Sequence, residues 1–192
     1  MKPDKRICVF CGARPGSDPS WMSLARAVGQ SIARRGYGVV YGGGGVGLMG
    51  AVAAGALDEE GEVIGVIPHS LMAQELGNLN VTRLEKVESM AVRKTRMIDL
   101  ADGFVSLPGG LGTLDELFEV MTLRQIGFHQ KPNGILNANG YFDDLFALVN
   151  GFADKGFVGQ QDLDALIVDA HIEPLLDQMF ASAPVNQVAR ET

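Results

Sequence analysis

The sequence predicts an α/β fold: a single Rossmann-like domain whose mainly parallel sheet is flanked by helices. Three observations carry that expectation. Apolar runs of strand length alternate with segments of helical period from end to end. Two glycine-rich stretches, Gly42–Gly47 and Gly109–Gly112, stand where a strand gives way to a helix. No linker, repeat or low-complexity break divides the 192 residues, a length that suits one buried core.

The first strand is Ile7 to Phe10, a buried apolar run, and Asp18-Pro19 supplies an N-cap and a proline at the first position of a helix running to about Arg35. Gly36 and Gly38 end that helix, and Val39–Tyr41 forms the second strand. A small-residue helix from Gly47 to about Glu60 stops at Gly61, before the strand Val63–Ile67. Pro68 to Asn80 reads as a loop or short helix, and Val81–Val87 as a strand. Ser89 caps a helix from Met90 to about Ala101, and Phe104–Leu107 is the next strand. The helix after Gly112 runs to about Phe128, with Leu114, Leu117, Phe118 and Met121 as its core-facing stripe. Gly134–Leu136 and Leu166–Val168 read as strands, Tyr141–Lys155 and Ile172–Phe180 as helices. The polar end, about 181–192, is expected to fray.

Composition narrows the function. A net charge of −7 argues against nucleic acid as partner, because a phosphate backbone selects basic surfaces. A small phosphorylated ligand needs only a local cluster of cations. No uncharged apolar run approaches bilayer length and the N-terminus lacks the pattern of a signal peptide, so no membrane association and a cytoplasmic location are expected. Apolar residues make up 46% and charged ones 20%, which leads us to expect a homodimer or larger assembly. Cys8 and Cys11 form a C-x-x-C pair, but on a strand they point to opposite faces and read as small core residues. His69, His129 and His171 are scattered without ligand spacing, so no metal is expected.

Three stretches carry chemistry. In the first, Gly45-x-Gly47-x-x-Gly50 matches the dinucleotide fingerprint, but the next strand ends Val66-Ile67-Pro68-His69 without the acid that binds a ribose. Gly43, Gly44 and Gly45 are therefore read as a phosphate-binding loop without a dinucleotide. The second stretch is Leu107-Pro108-Gly109-Gly110-Leu111-Gly112-Thr113-Leu114-Asp115-Glu116, again at a strand-to-helix turn and suited to an anion. Thr113-x-x-Glu116 also fits a capping box, in which Glu116 would only return a hydrogen bond to the helix start. The third places Arg93, Lys94 and Arg96 early in a helix, where the dipole disfavours cations and a bound anion would offset the repulsion.

Together these stretches resemble the LOG family, the cytokinin riboside 5′-monophosphate phosphoribohydrolases once named lysine decarboxylases. The family pattern joins a Pro-Gly-Gly-x-Gly-Thr-x-x-Glu loop to an upstream arginine–lysine pair, here Pro108 to Glu116 and Arg93-Lys94. The similarity also takes in Phe10-Cys11-Gly12, Gly42 to Gly50, Gly65 to Pro68, Gly127-Phe128-His129 with Lys131-Pro132, Leu136-Asn137, and Gly140-Tyr141-Phe142. The resemblance implies that Arg93 and Glu116 are catalytic. It implies that Glu75, Lys94, Thr122 and the loop Gly109–Glu116, including Leu111, Leu114 and Asp115, contact a nucleoside 5′-monophosphate, AMP or a cytokinin riboside monophosphate. No cofactor is implied. Ala13 stands where many members have serine, and Leu111 and Leu123 where plant members have tyrosine and tryptophan.

The implied reaction is hydrolysis of the N-glycosidic bond. It builds positive charge on the ribose, so a carboxylate near the anomeric carbon, Glu116, would steady that charge or orient the water. A nucleotide-binding regulatory module without chemistry is the alternative. A pyridoxal-phosphate decarboxylase would need a Schiff-base lysine and a partner for the pyridine nitrogen, and neither is marked in the sequence.

Overall fold

The computed structural model describes residues 3–181, so the tail expected to fray, from 182 onward, lies outside the described residues. Seven strands form one sheet: β1 (Arg6–Phe10), β2 (Gly38–Tyr41), β3 (Val63–Pro68), β4 (Arg83–Val87), β5 (Gly103–Ser106), β6 (Asn133–Leu136) and β7 (Leu166–Asp169). Their order is β4-β3-β2-β1-β5-β6-β7, and every pairing is parallel. Parallel strands must be covered on both faces, which explains the unbroken apolar runs of β1, β2 and β3.

Three helices cover one face: α1 (Ser20–Arg34), α2 (Gly47–Asp58) and α7 (Ile172–Phe180). Helices α3 (Met90–Leu100), α4 (Leu111–Gln125) and α5 (Asp143–Asp154) cover the other. The short helix α6 (Gln160–Asp164) precedes β7, and its single turn is too brief to leave a periodic signal in the sequence. Cys8 belongs to the core on the α3 side and Cys11 to the core on the α1–α2 side, so the two buried thiols are separated by the sheet as expected. Helices α1 and α2 touch backbone to backbone. A Cβ at Gly55 would strike the carbonyl of Arg26, and one at Gly29 the carbonyl of Val52.

Helix starts decide where the site residues fall. Asp18 accepts a hydrogen bond from the Ser20 amide at 2.8 Å, so α1 begins at Ser20 and Pro19 precedes it. Ser89 caps α3 through the Val92 amide at 3.3 Å. Helix α4 begins earlier than expected, at Leu111, with Gly110 as its N-cap and no side-chain cap. Of the expected stripe Leu117 is fully buried, in line with Thr113 and Val120. Leu114 and Met121 are half-buried against the second cluster around Ile135 and Phe142, because α4 packs on two clusters and needs a broader apolar face. Among the described residues no helix is long and apolar enough to cross a membrane.

Candidate active site

Strand β1 pairs with β2 on one side and β5 on the other, so the chain leaves β1 and β5 in opposite directions. The crevice that opens beyond such a switch point is where doubly wound sheets bind ligands. A cavity of about 790 Å³ lies there, lined by the segment after β1, the segment after β5, and Glu75, Arg93 and Tyr141.

One end of the cavity presents free backbone donors. Among the described residues, no protein acceptor takes the amides of Gly110, Leu111, Gly112 or Thr113, and the α4 dipole adds positive character. The loop is held from both sides. The Gly12 amide donates to the Pro108 carbonyl at 3.1 Å, and the Tyr141 hydroxyl donates to the Gly109 carbonyl at 2.7 Å. A side chain at residue 109 would collide with Thr113, so only glycine lets the loop fold back on the helix start.

This start also settles the capping box. Thr113 is the third residue of α4 and Glu116 the sixth, so neither caps the helix. Glu116 lines the cavity instead, and among the described residues nothing hydrogen-bonds or ion-pairs with its carboxyl. Burial pushes its pKa up to about 7; Arg93 pulls it down, while Asp115 and Glu75 push it further up.

Arg93 is buried among protein acceptors. Its Nε donates to the Val66 carbonyl at 3.1 Å, and its Nη2 to the Gly42 carbonyl at 2.6 Å and Glu75 Oε2 at 3.3 Å. Met90 and Met49 sulfurs flank the guanidinium. Lys94 instead bridges α3 to α4, with Nζ 3.0 Å from Asp115 and 3.1 Å from Glu119. Arg96 pairs with Glu85 at 2.7 Å. Protein acceptors therefore balance the cations of α3, where the sequence suggested a bound anion.

The cavity gathers Glu75, Arg93, Gly109, Gly110, Leu111, Gly112, Thr113, Asp115 and Glu116. It does not gather Lys94, Leu114 or Thr122; Leu114 turns into the core and Thr122 lies roughly 9 Å further along α4, exposed. Gly43, Gly44 and Gly45 are also outside it. The Gly45 amide donates to the carbonyls of Glu75 (3.1 Å) and Leu76 (2.9 Å), and Gly44 bridges Gly77. The amides of Leu48 and Met49, at the start of α2, donate to the Gly12 carbonyl. The fingerprint loop thus holds the Glu75 segment and lies outside the cavity lining. Sequence reasoning missed Arg14, Ser17, Trp21, Met49 and Tyr141, all lining the cavity. Of these, Met49 and Tyr141 stand in stretches that carry the family resemblance, Gly42 to Gly50 and Gly140 to Phe142.

A doubly wound parallel sheet with free amides and an unpaired acid in the crevice at its switch point defines a Rossmann-like protein. The family described as "Possible lysine decarboxylase" matches residues 49–179. Cytokinin riboside 5′-monophosphate phosphoribohydrolase LOG7 of Arabidopsis thaliana is 39% identical over 180 residues, 94% of this chain and 83% of the relative. Probable cytokinin riboside 5′-monophosphate phosphoribohydrolase LOGL1 of Oryza sativa subsp. japonica is 44% identical over 165 residues, 86% and 74%. The chain belongs to this family, the LOG family. Among solved structures, the molybdenum cofactor binding protein of Rippkaea orientalis aligns with a TM-score of 0.71 at 23% identity, over 94% of this chain and 97% of its own. That likeness supports the fold alone.

Proposed function

We propose that the chain hydrolyses the N-glycosidic bond of a purine or cytokinin nucleoside 5′-monophosphate, releasing the base and ribose 5-phosphate. The observation that carries this reading is one cavity holding the free amides of Gly110–Thr113 and the unpaired carboxyl of Glu116. The amides bind the 5′-phosphate. The ribose then lies toward Glu116, whose carboxylate takes a proton from the attacking water as its oxygen bonds to C1′. The bond from C1′ to the base nitrogen breaks, and the base leaves with the electron pair and takes up a proton from solvent. A carboxyl with a pKa near 7 is poised for that exchange at neutral pH. Arg93, fixed by Gly42, Val66 and Glu75, sets the local field and keeps Glu75 in place. Met49, Leu71, Met90 and Leu111 supply an apolar wall for the base.

Names similar to lysine decarboxylase imply pyridoxal phosphate, and the lining residues do not fit it. Among the described residues no lysine lines the cavity, and Lys94 is held by Asp115 and Glu119. We further infer a homo-oligomer, supported by exposed apolar side chains such as Ile126, Phe128 and Phe157. The test is a panel of nucleoside monophosphates, prenylated ones included, and the matching nucleosides, scored for released base. Release from AMP or a cytokinin riboside monophosphate with little from the nucleosides is expected; equal turnover of adenosine and AMP rejects the reading.

A further inference from the structure

The charges lining the cavity do not all cancel. Arg93 is matched to Glu75, and Asp115 to Lys94 just outside. Two charged side chains that line the cavity are left without a hydrogen bond or ion pair among the described residues: Glu116 and Arg14. An exposed arginine ordinarily means little, because water solvates it. Arg14 differs in where its backbone is held.

The turn carrying Arg14 is fixed on three sides. The Gly12 carbonyl accepts from the amides of Leu48 (3.1 Å) and Met49 (3.3 Å), and the Gly12 amide donates to Pro108. An ideal Cβ at residue 12 would stand 3.2 Å from the Arg14 carbonyl oxygen and 3.5 Å from the Cα of Gly109. A Cβ at residue 47 would strike Ala13 and the Arg14 amide. Arg14 therefore springs from a backbone packed against the anion loop, and it lines the cavity that the loop opens into. A phosphate at the α4 amides would also sit near Glu116, whose carboxylate repels it, while Asp115 is matched to Lys94. With Arg93 and Lys94 already spent on protein acceptors, the amides alone must offset that repulsion unless another cation reaches the phosphate.

We propose that Arg14 is that cation: it closes over the ligand's phosphate opposite the α4 amides and makes the site select phosphorylated ligands. The proposal rests on the reading of the ligand as a nucleoside 5′-monophosphate. Guanidinium presents paired N–H donors that match two phosphate oxygens, which an ammonium meets only as a point charge. Arg14 binds and selects; it does not take part in bond breaking.

The experiment is calorimetric titration of wild type, Arg14→Gln and Arg14→Lys with AMP and with adenosine, alongside base-release kinetics and thermal melting. Arg14→Gln is expected to weaken AMP binding by about 10- to 100-fold, with adenosine binding unchanged. Arg14→Lys recovers part of the loss through its charge. In base release, KM for AMP rises while kcat stays within about threefold. Melting temperatures should be unaltered, since Arg14 makes no hydrogen bond or ion pair among the described residues, and the lysine variant guards against a purely structural effect. Equal AMP affinity in wild type and Arg14→Gln overturns the proposal, as does a parallel loss for adenosine. Wild-type protein that binds AMP but releases no base overturns the hydrolase reading alone, and Arg14 is then judged on the affinities.

Discussion

Nη2 of Arg93 occupies the space that a side chain at residue 42 would need, and it donates to the Gly42 carbonyl at 2.6 Å. A glycine just beyond β2 and an arginine in α3 are thus parts of one arrangement. The guanidinium fits there only because residue 42 carries no side chain.

Replacing Gly42 by alanine should therefore dislodge the guanidinium. The expected cost is roughly 1–3 kcal/mol of stability from overpacking. Base release should fall at least about tenfold, because Glu75 and the field at Glu116 depend on Arg93. Gly151→Ala is the control: it lies in α5 with nothing within 4 Å of an added Cβ, and alanine there should stabilise slightly. Melting curves and base release for both variants check this. Unaltered activity in Gly42→Ala would show that the fit can relax without consequence.

Glu116→Gln should lower turnover on the order of 10²–10⁴-fold without unfolding the protein. The residue does not cap α4, so the helix loses nothing when the charge goes. KM should change much less than kcat, because the carboxylate acts chiefly in the transition state. Full activity in the variant would remove Glu116 from the chemistry.

The pKa of Glu116 predicts two pH effects of opposite sense. Activity should rise with an apparent pKa near 7 in kcat/KM as the carboxyl loses its proton, and Glu116→Gln should lack that limb. Stability should fall over the same range. Between the ordinary 4.5 and about 7, the folded chain keeps a proton that the unfolded chain has released, so raising the pH through this window costs folding free energy. Glutamine escapes the cost. The variant's melting temperature should match wild type near about pH 4 and exceed it above about pH 7. A variant that melts alike at both ends would mean that burial does not hold the proton.

Light scattering after gel filtration should find a dimer or larger species at micromolar concentration. Phe128 and Phe157 are 78% and 79% exposed in the isolated chain, large aromatic surfaces that association would cover. A clean monomer rejects the assembly.

The strands and most helix starts were legible because their causes are local. Ser89 caps the helix immediately after it, and buried parallel strands read as apolar runs. Glu116 was ambiguous in sequence only because the start of α4 was misplaced: a glycine cap at Gly110 leaves no side-chain signature, whereas Thr113 mimics one. Gly43, Gly44 and Gly45 are hard to read from sequence for a deeper reason. A backbone stripped of side chains admits a phosphate or another backbone equally well, and here it admits the Glu75 segment. Arg14, Trp21 and Tyr141 were invisible because they converge only through the split between β1 and β5, a property of topology rather than of neighbouring residues.

That staple between the glycine loop and the Glu75 segment gives the protein a native reporter. The Gly45 amide proton is shared by the carbonyls of Glu75 and Leu76, so it exchanges only when those hydrogen bonds break. Its deuterium exchange, measured in the wild-type protein, therefore times the opening of the wall that holds Glu75 against Arg93. A ligand that engages this wall should slow the exchange of Gly45, which does not itself line the cavity.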